Sequence, residues 1–195
     1  MRACFLDRDG TLNIDHNFVH KPEEWDWIPG VPKALQLLQR EGFKLIVVTN
    51  QSGVARGRFS LQQVNELHLY AAELLKEWGV EIHAWYIAPW HPDFHEDRDP
   101  KLLDERKPGT ALFERAAKEL GIDLGKSIMV GDKASDIIPA IELGIKPFLV
   151  ESRFTNNELK NWASEHGVPL FRDLPQIVAD TDLITHPKDF KQHSF

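Results

Sequence analysis

The stretch Ala3-Cys4-Phe5-Leu6-Asp7-Arg8-Asp9-Gly10-Thr11-Leu12-Asn13 decides how the chain is read. Four apolar residues run directly into a carboxylate, as a short strand buried on both faces would. Side chains of an extended segment alternate, so Asp7 and Asp9 point the same way and can share one site. Two crowded carboxylates repel, which calls for a cation or a shared proton. Gly10 then lets the backbone turn sharply. An isolated match of this kind also suits a plain strand that ends in an acidic turn, so the rest of the chain has to decide.

Outward from this stretch, apolar runs recur at Lys44 to Thr49, Ile82 to Ile87, Ser127 to Val130 and Pro147 to Val150. Amphipathic stretches separate them. Pro32 suits a first helical turn, and Gly42 stops that helix. Ser60 reads as the N-cap of a helix through about Trp78, with Gly79 just past its end. Thr110 to Leu120 ends at Gly121. Ser135 to Leu143 ends at Gly144, with Pro139 expected to bend it or to sit in its first turn. Thr155 to Glu158 reads as a capping box. Strands that alternate with helices imply parallel pairing through right-handed crossovers. The predicted fold class is α/β: a doubly wound, mostly parallel, Rossmann-like sheet with its site at the carboxyl ends of the strands. Asn13 to Pro32 and Ala88 to Pro108 read as long irregular loops, which in compact domains are usually functional. Residues 1–184 read as one domain and 185–195 as a loose tail.

Three more polar groups follow predicted strands. Thr49-Asn50-Gln51-Ser52-Gly53 offers O–H and N–H donors to an anion. Arg106-Lys107-Pro108-Gly109 precedes a helix. Lys107 suits a point charge on a phosphoryl group, and Arg106 suits a two-toothed grip on a second phosphate. Val130-Gly131-Asp132-Lys133-Ala134-Ser135-Asp136 places a carboxylate where it can complete a hard-cation site of the Mg²⁺ type, with Asp136 one helical turn behind it. Each group alone has a plainer reading as a strand exit, a solvated basic pair or an acidic helix cap. Their order and their positions after successive strands make coincidence a poor account.

Composition narrows the classes. The 195 residues hold 23 Lys and Arg against 30 Asp and Glu, a net charge of −7, which suits no broad nucleic-acid footprint. A single cysteine, Cys4, excludes a disulfide framework and any multi-thiolate metal site within the chain. No apolar run is long enough to span a membrane, and the N-terminus does not read as a signal peptide. The chain reads as cytoplasmic, with monomer as the default state.

In this arrangement the chain resembles the haloacid dehalogenase superfamily of phosphotransferases. The four motifs match in order as Asp7-Arg8-Asp9-Gly10-Thr11, Thr49-Asn50, Lys107, and Gly131-Asp132 with Asp136. The resemblance extends over roughly Cys4 to Asp182. The stretches 13–20, Ile28-Pro29-Gly30-Val31 and 49–58 are similar to heptose bisphosphate phosphatases, a branch that includes histidinol-phosphate phosphatases. Val19-His20 and Val54-Ala55-Arg56-Gly57 favour the heptose enzymes.

The resemblance implies Asp7 as nucleophile, Asp9 as acid and base, and Thr49 and Lys107 as further catalytic residues. It implies Mg²⁺ on Asp7, the Asp9 main-chain carbonyl and Asp132, with Asp136 supporting Lys107 or a metal-bound water. Asn50, Arg106, Arg56 and His20 are the expected substrate-binding residues. The implied reaction removes the 7-phosphate of a heptose 1,7-bisphosphate, in lipopolysaccharide or another heptose-glycan pathway, and the implied architecture lacks a cap domain. Members of this branch usually carry a zinc site of three Cys and one His in the loop before Lys107. Here Ala88-Pro89-Trp90-His91-Pro92 and Leu103-Asp104-Glu105-Arg106-Lys107-Pro108 replace all four ligands, so zinc is not expected. His91 and His95, with Asp93, Asp97 and Asp99, read as solvated loop residues. Packing of Trp85, Trp90 and Phe94 is expected to order the loop. The rivals are a histidinol-phosphate phosphatase and, outside enzymes, a receiver-type phosphoacceptor module, against which Asp9 argues.

Overall fold

Alternate residues of the first strand, β1 (Arg2–Leu6), enter two different cores, as period-2 geometry requires of a strand buried on both faces. Ala3 and Phe5 join Ile46, Val48, Met129, Leu112 and Phe113 on one side of the sheet. Cys4 and Leu6 join Leu45, Val47, Val130, Leu35, Leu38 and Leu174 on the other. The computed structural model describes residues 1–94 and 100–184, so the expected tail at 185–195, and His95, Asp97 and Asp99, lie outside the described residues.

After β1 come α1 (Val31–Arg40), β2 (Phe43–Asn50), α2 (Ser52–Ala55), α3 (Leu61–Lys76) and β3 (Ile82–Ala88). There follow α4 (Pro100–Glu105), α5 (Ala111–Leu120), β4 (Ile128–Gly131), α6 (Ala134–Glu142) and β5 (Lys146–Val150). The chain continues through α7 (Asn157–Glu165), β6 (Leu170–Phe171) and α8 (Leu174–Asp180). The strand order is β3-β2-β1-β4-β5-β6, and every pairing is parallel. The chain winds outward from β1 through β2 to β3, then returns to the other side of β1 as β4. Where the winding reverses, the connections leaving β1 and β4 diverge and open a crevice at the carboxyl ends of the strands. The predicted α/β fold class holds, and among the described residues the connections between β1, β2 and β3 carry no separate cap domain.

Several local expectations shift. The capping box at Thr155 to Glu158 is replaced by Asn156 as the N-cap of α7, its side chain accepting from the Leu159 N–H at 2.8 Å. Helix α6 continues past Pro139, which lies beyond its first turn. The lost intrahelical bond is tolerated because Ile137, Pro139 and Ala140 are all buried against the sheet. The loop before Lys107 contains α4, and two elements, β6 and α8, follow the last predicted helix.

Candidate active site

The turn after β1 is a place only glycine fits. Gly10 has φ +88°, and a Cβ there would lie 2.5 Å from Asp132 Oδ2. The main chain after β1 thereby touches the carboxylate that follows β4. The Asp7 N–H donates to the Val130 carbonyl at 2.9 Å, extending the β1–β4 ladder into the site. Gly131 is equally tight, since a Cβ there would meet Asp136 Cβ at 2.4 Å.

Lys107 Nζ sits at the centre. It donates to Asp7 Oδ1 at 2.7 Å and to the Val48 carbonyl at 2.6 Å, and it pairs with Asp136 Oδ1 at 2.7 Å. Asn50 places it: the Asn50 amide donates to the Lys107 carbonyl at 2.9 Å and accepts from the Lys107 N–H at 3.0 Å. That reciprocal pair clamps the loop before α5 onto the end of β2. Asp136 Oδ2 accepts from the main-chain N–H groups of Asp132 and Lys133 at 3.1 and 3.0 Å, so both its oxygens are engaged. Lys133 Nζ pairs with Asp132 at 3.0 Å.

The electrostatics follow from burial. Burial drives the Asp7 carboxyl above its ordinary range, Lys107 pulls it down and Asp136 pushes it up again. Burial, Asp136 and Asp7 together raise Asp132 to about 7. For Lys107, burial opposes the charge, but Asp136 and Asp7 outweigh it and hold the ammonium above its usual range. Three buried carboxylates thus face two ammonium groups, which leaves excess negative charge. Ligand atoms of Asp7, Asp132 and Asp136 lie within 4.8 Å of one another. Because Asp136 is committed to Lys107 and to two N–H groups, Asp7 and Asp132 are the carboxylates that fit a hard divalent cation.

Asp9 is neutralised separately. Burial alone would raise its carboxyl, but Arg8 and the hydrogen bonds from Asn13, Arg8 and Gln51 hold it below the ordinary range. Both Asp9 side-chain oxygens accept hydrogen bonds, from Arg8, Asn13 and Gln51.

A cavity of about 450 Å³ opens above these groups. Asp7, Asp9, Thr49, Asn50, Arg106, Lys107 and Asp136 all line it. Asn17 and Phe18 form one wall, and Arg153 and Phe154, from the β5–α7 loop, form another. Arg153 spans to the first wall, meeting Asp15 at 3.0 Å and Asn17 at 3.2 Å. Neither Arg153 nor Gln51 was expected. Gln51 was visible beside Thr49, but nothing local marks Arg153.

Two expected substrate-binding residues are not among those that line the cavity. Arg56 stacks on Phe94 at 4.3 Å and approaches His91. His20 turns its ring onto the Phe18 carbonyl and stacks on Phe59. Positive φ at Asn17 and Phe18 redirects the chain just before His20. Trp85 also departs from its expected place, stacking on His68 at 4.1 Å.

A doubly wound sheet with paired aspartates after β1, a buried lysine and a third carboxylate after β4 defines a phosphatase of the haloacid dehalogenase type. The profile of the family described as polynucleotide kinase 3 phosphatase matches residues 3–172. The D-glycero-beta-D-manno-heptose-1,7-bisphosphate 7-phosphatase of Haemophilus ducreyi is 46% identical over 146 residues, 74% of this chain and 80% of the relative. The enzyme of that name from Escherichia coli K12 is 36% identical over 178 residues, 90% of this chain and 93% of the relative. Among solved structures, the D,D-heptose 1,7-bisphosphate phosphatase of B. bronchiseptica, complexed with magnesium and phosphate, superposes with a TM-score of 0.77. It is 31% identical, over 91% of this chain and 96% of that one. The chain belongs to the haloacid dehalogenase phosphatases, in the family that this profile and these heptose-bisphosphate phosphatases share.

Proposed function

We propose that the chain removes the 7-phosphate of D-glycero-beta-D-manno-heptose 1,7-bisphosphate. The observation that carries this reading is the buried Asp7–Lys107–Asp136 cluster at the floor of a cavity whose walls hold further cations, Arg106 and Arg153. One phosphate fits the floor and a second has a guanidinium partner. The relatives' names supply the sugar.

Asp7, Asp132 and the Asp9 carbonyl would hold Mg²⁺, which when bound neutralises charge on the phosphoryl oxygens. The Asp7 carboxylate attacks phosphorus, and the bond from phosphorus to the sugar oxygen breaks to leave an aspartyl-phosphate. With substrate bound, Asp9 first takes a proton from solvent against the pull of Arg8, gives it to the departing oxygen, then takes one from the water that cleaves the intermediate. Thr49, the Asn50 N–H and Lys107 hold the phosphoryl oxygens, and preorganised donors of this kind stabilise the transition state. Asp136 holds Lys107.

The acidic balance of the chain supports a small substrate over a nucleic-acid end. No helix among the described residues is long and apolar enough to cross a membrane. We place the reaction in the cytoplasm, in supply of heptose to lipopolysaccharide or a related glycan, by a monomer of one domain over residues 1–184. The loop before Lys107 works without zinc in this reading. Trp90 Nε1 donates to Glu105 at 2.9 Å, and Arg106 donates to the Trp90 carbonyl at 3.2 Å, so side chains tie the loop together.

The test is phosphate release from heptose 1,7-bisphosphate and from histidinol phosphate, each with Mg²⁺ and with chelator. Strong, Mg²⁺-dependent preference for the bisphosphate is expected. Preference for histidinol phosphate would overturn the substrate, and turnover undiminished by chelator would overturn the metal.

A further inference from the structure

Arg8 lies between the two aspartates, and strand alternation points it away from both. Its side chain nevertheless returns to the site. It is 0% exposed. Nε donates to Asp9 Oδ2 and Nη2 to Asp9 Oδ1, each at 3.0 Å. Nη2 also donates to the Val19 carbonyl at 2.7 Å, and Nη1 lies 3.3 Å from His68 Nε2. Burial and the Arg8 charge push the His68 pKa down to about 3, so its ring is neutral. Arg8 can only donate, so Nε2 of His68 accepts and the ring proton sits on Nδ1. Stacking on Trp85 fixes the ring. Asn13 and Gln51 supply the remaining donors to Asp9, at 3.0 and 2.9 Å. Each carboxylate oxygen of Asp9 thus receives two donors, which leaves that carboxylate a single orientation.

We propose that Arg8, backed by His68 of α3, is a positioning residue that aims the Asp9 carboxylate at the leaving sugar oxygen and then at the attacking water. This rests on the reading of Asp9 as acid and base given above. Only a guanidinium fork reaches both oxygens at once. A lysine keeps the charge but offers a single point of contact, and it is more strongly hydrated. Loss of aim separates the two half-reactions by leaving group. A p-nitrophenolate departs from phosphorus without a proton, whereas a sugar alkoxide needs one. Cleavage of the aspartyl-phosphate needs the base in both cases.

The experiment is rapid-quench kinetics of Arg8→Lys with p-nitrophenyl phosphate and with the sugar bisphosphate, counting acid-stable phosphoenzyme by mass. Expected with the nitrophenyl ester is a burst stoichiometric with active sites, then steady turnover about ten- to a hundredfold below wild type, with phosphoenzyme accumulating. With the sugar substrate no burst is expected. A burst amplitude and a turnover that fall together, without phosphoenzyme, would show a merely structural role and overturn the proposal. Should Arg8→Lys not fold, His68→Phe decides. It keeps the stack on Trp85 and removes the acceptor, and it is expected to accumulate phosphoenzyme in the same way, with a smaller loss. Unchanged kinetics there would also overturn the proposal. Asp9→Asn separates the two readings. Normal turnover by that variant would sink the role of Asp9 itself. An inactive Asp9→Asn beside a kinetically normal Arg8→Lys would sink the positioning role alone.

Discussion

At the residue scale the site is a problem of crowded charge. Asp7, Asp132 and Asp136 are all buried with ligand atoms within 4.8 Å of one another, and among the described residues two lysines pair with them. Asp7→Asn removes the nucleophile of the proposed reaction and leaves Lys107 without one of its two carboxylate partners. Phosphate release is expected to fall by at least about a thousandfold, because an amide oxygen is a poor nucleophile. Mg²⁺-dependent turnover by a clean Asp7→Asn preparation would contradict that role. The residues that face one another here were largely legible in the sequence. Asp7, Thr49 and Asp132 each follow an apolar run, and Lys107 precedes a proline at a helix start. Arg8 was not legible, because alternation places it on the opposite side and its partners Val19 and His68 are remote in sequence. Arg56 and His20 do not line the cavity, and the turn through positive φ at Asn17 and Phe18 that sets His20 is not fixed by local sequence.

At the element scale α3 supports more than its own length. Leu67 and Ala71 pack on Val19 and Trp25 of the loop after β1, and His68 reaches Arg8. The helix begins with a capping box in which Ser60 Oγ accepts from the Gln63 N–H at 3.1 Å and Gln63 Oε1 accepts from the Ser60 N–H at 2.9 Å. Ser60→Ala is expected to cost about 1 kcal/mol, read as a lower denaturant midpoint with turnover per folded molecule nearly unchanged. A large fall in turnover without loss of stability would mean that the cap acts on the site directly. Ser60 and the glycines after α1, α3, α5 and α6 were readable because caps are local chemistry. The edge strand β6 was not readable, since Leu170–Phe171 is too short to show alternation. The seven residues of α8 bury Leu174, Ile177 and Val178 in the core shared with α1, a contact made entirely at a distance.

At the scale of the whole molecule, burying a neutral histidine beside Arg8 makes stability depend on pH. The His68 pKa is about 3 in the fold, against an ordinary value near 6.5 when unfolded. Between these values the unfolded chain binds the extra proton, so stability rises with pH across the window and is lost as pH falls below about 6.5. The loss is roughly 2 kcal/mol at pH 5. Acidification from pH 7.5 to pH 5 is expected to cost the wild type more stability than His68→Phe, read from urea midpoints; Asp132, raised to about 7, gains stability over the same window in both proteins and cancels in the comparison. Equal shifts would place the acid sensitivity elsewhere. The sequence by itself determined the sheet class and the strand-end placement of Asp7, Thr49, Asp132 and their neighbours, since both follow from period-2 burial and local turn chemistry. Only the tertiary structure decided that β4 returns beside β1 and brings Asp132 against Gly10. Only there does Arg8 fold back onto Asp9 over His68, and only there does Arg153 close the cavity wall. Those contacts join residues far apart in the chain, and their energies exist only once the sheet has assembled.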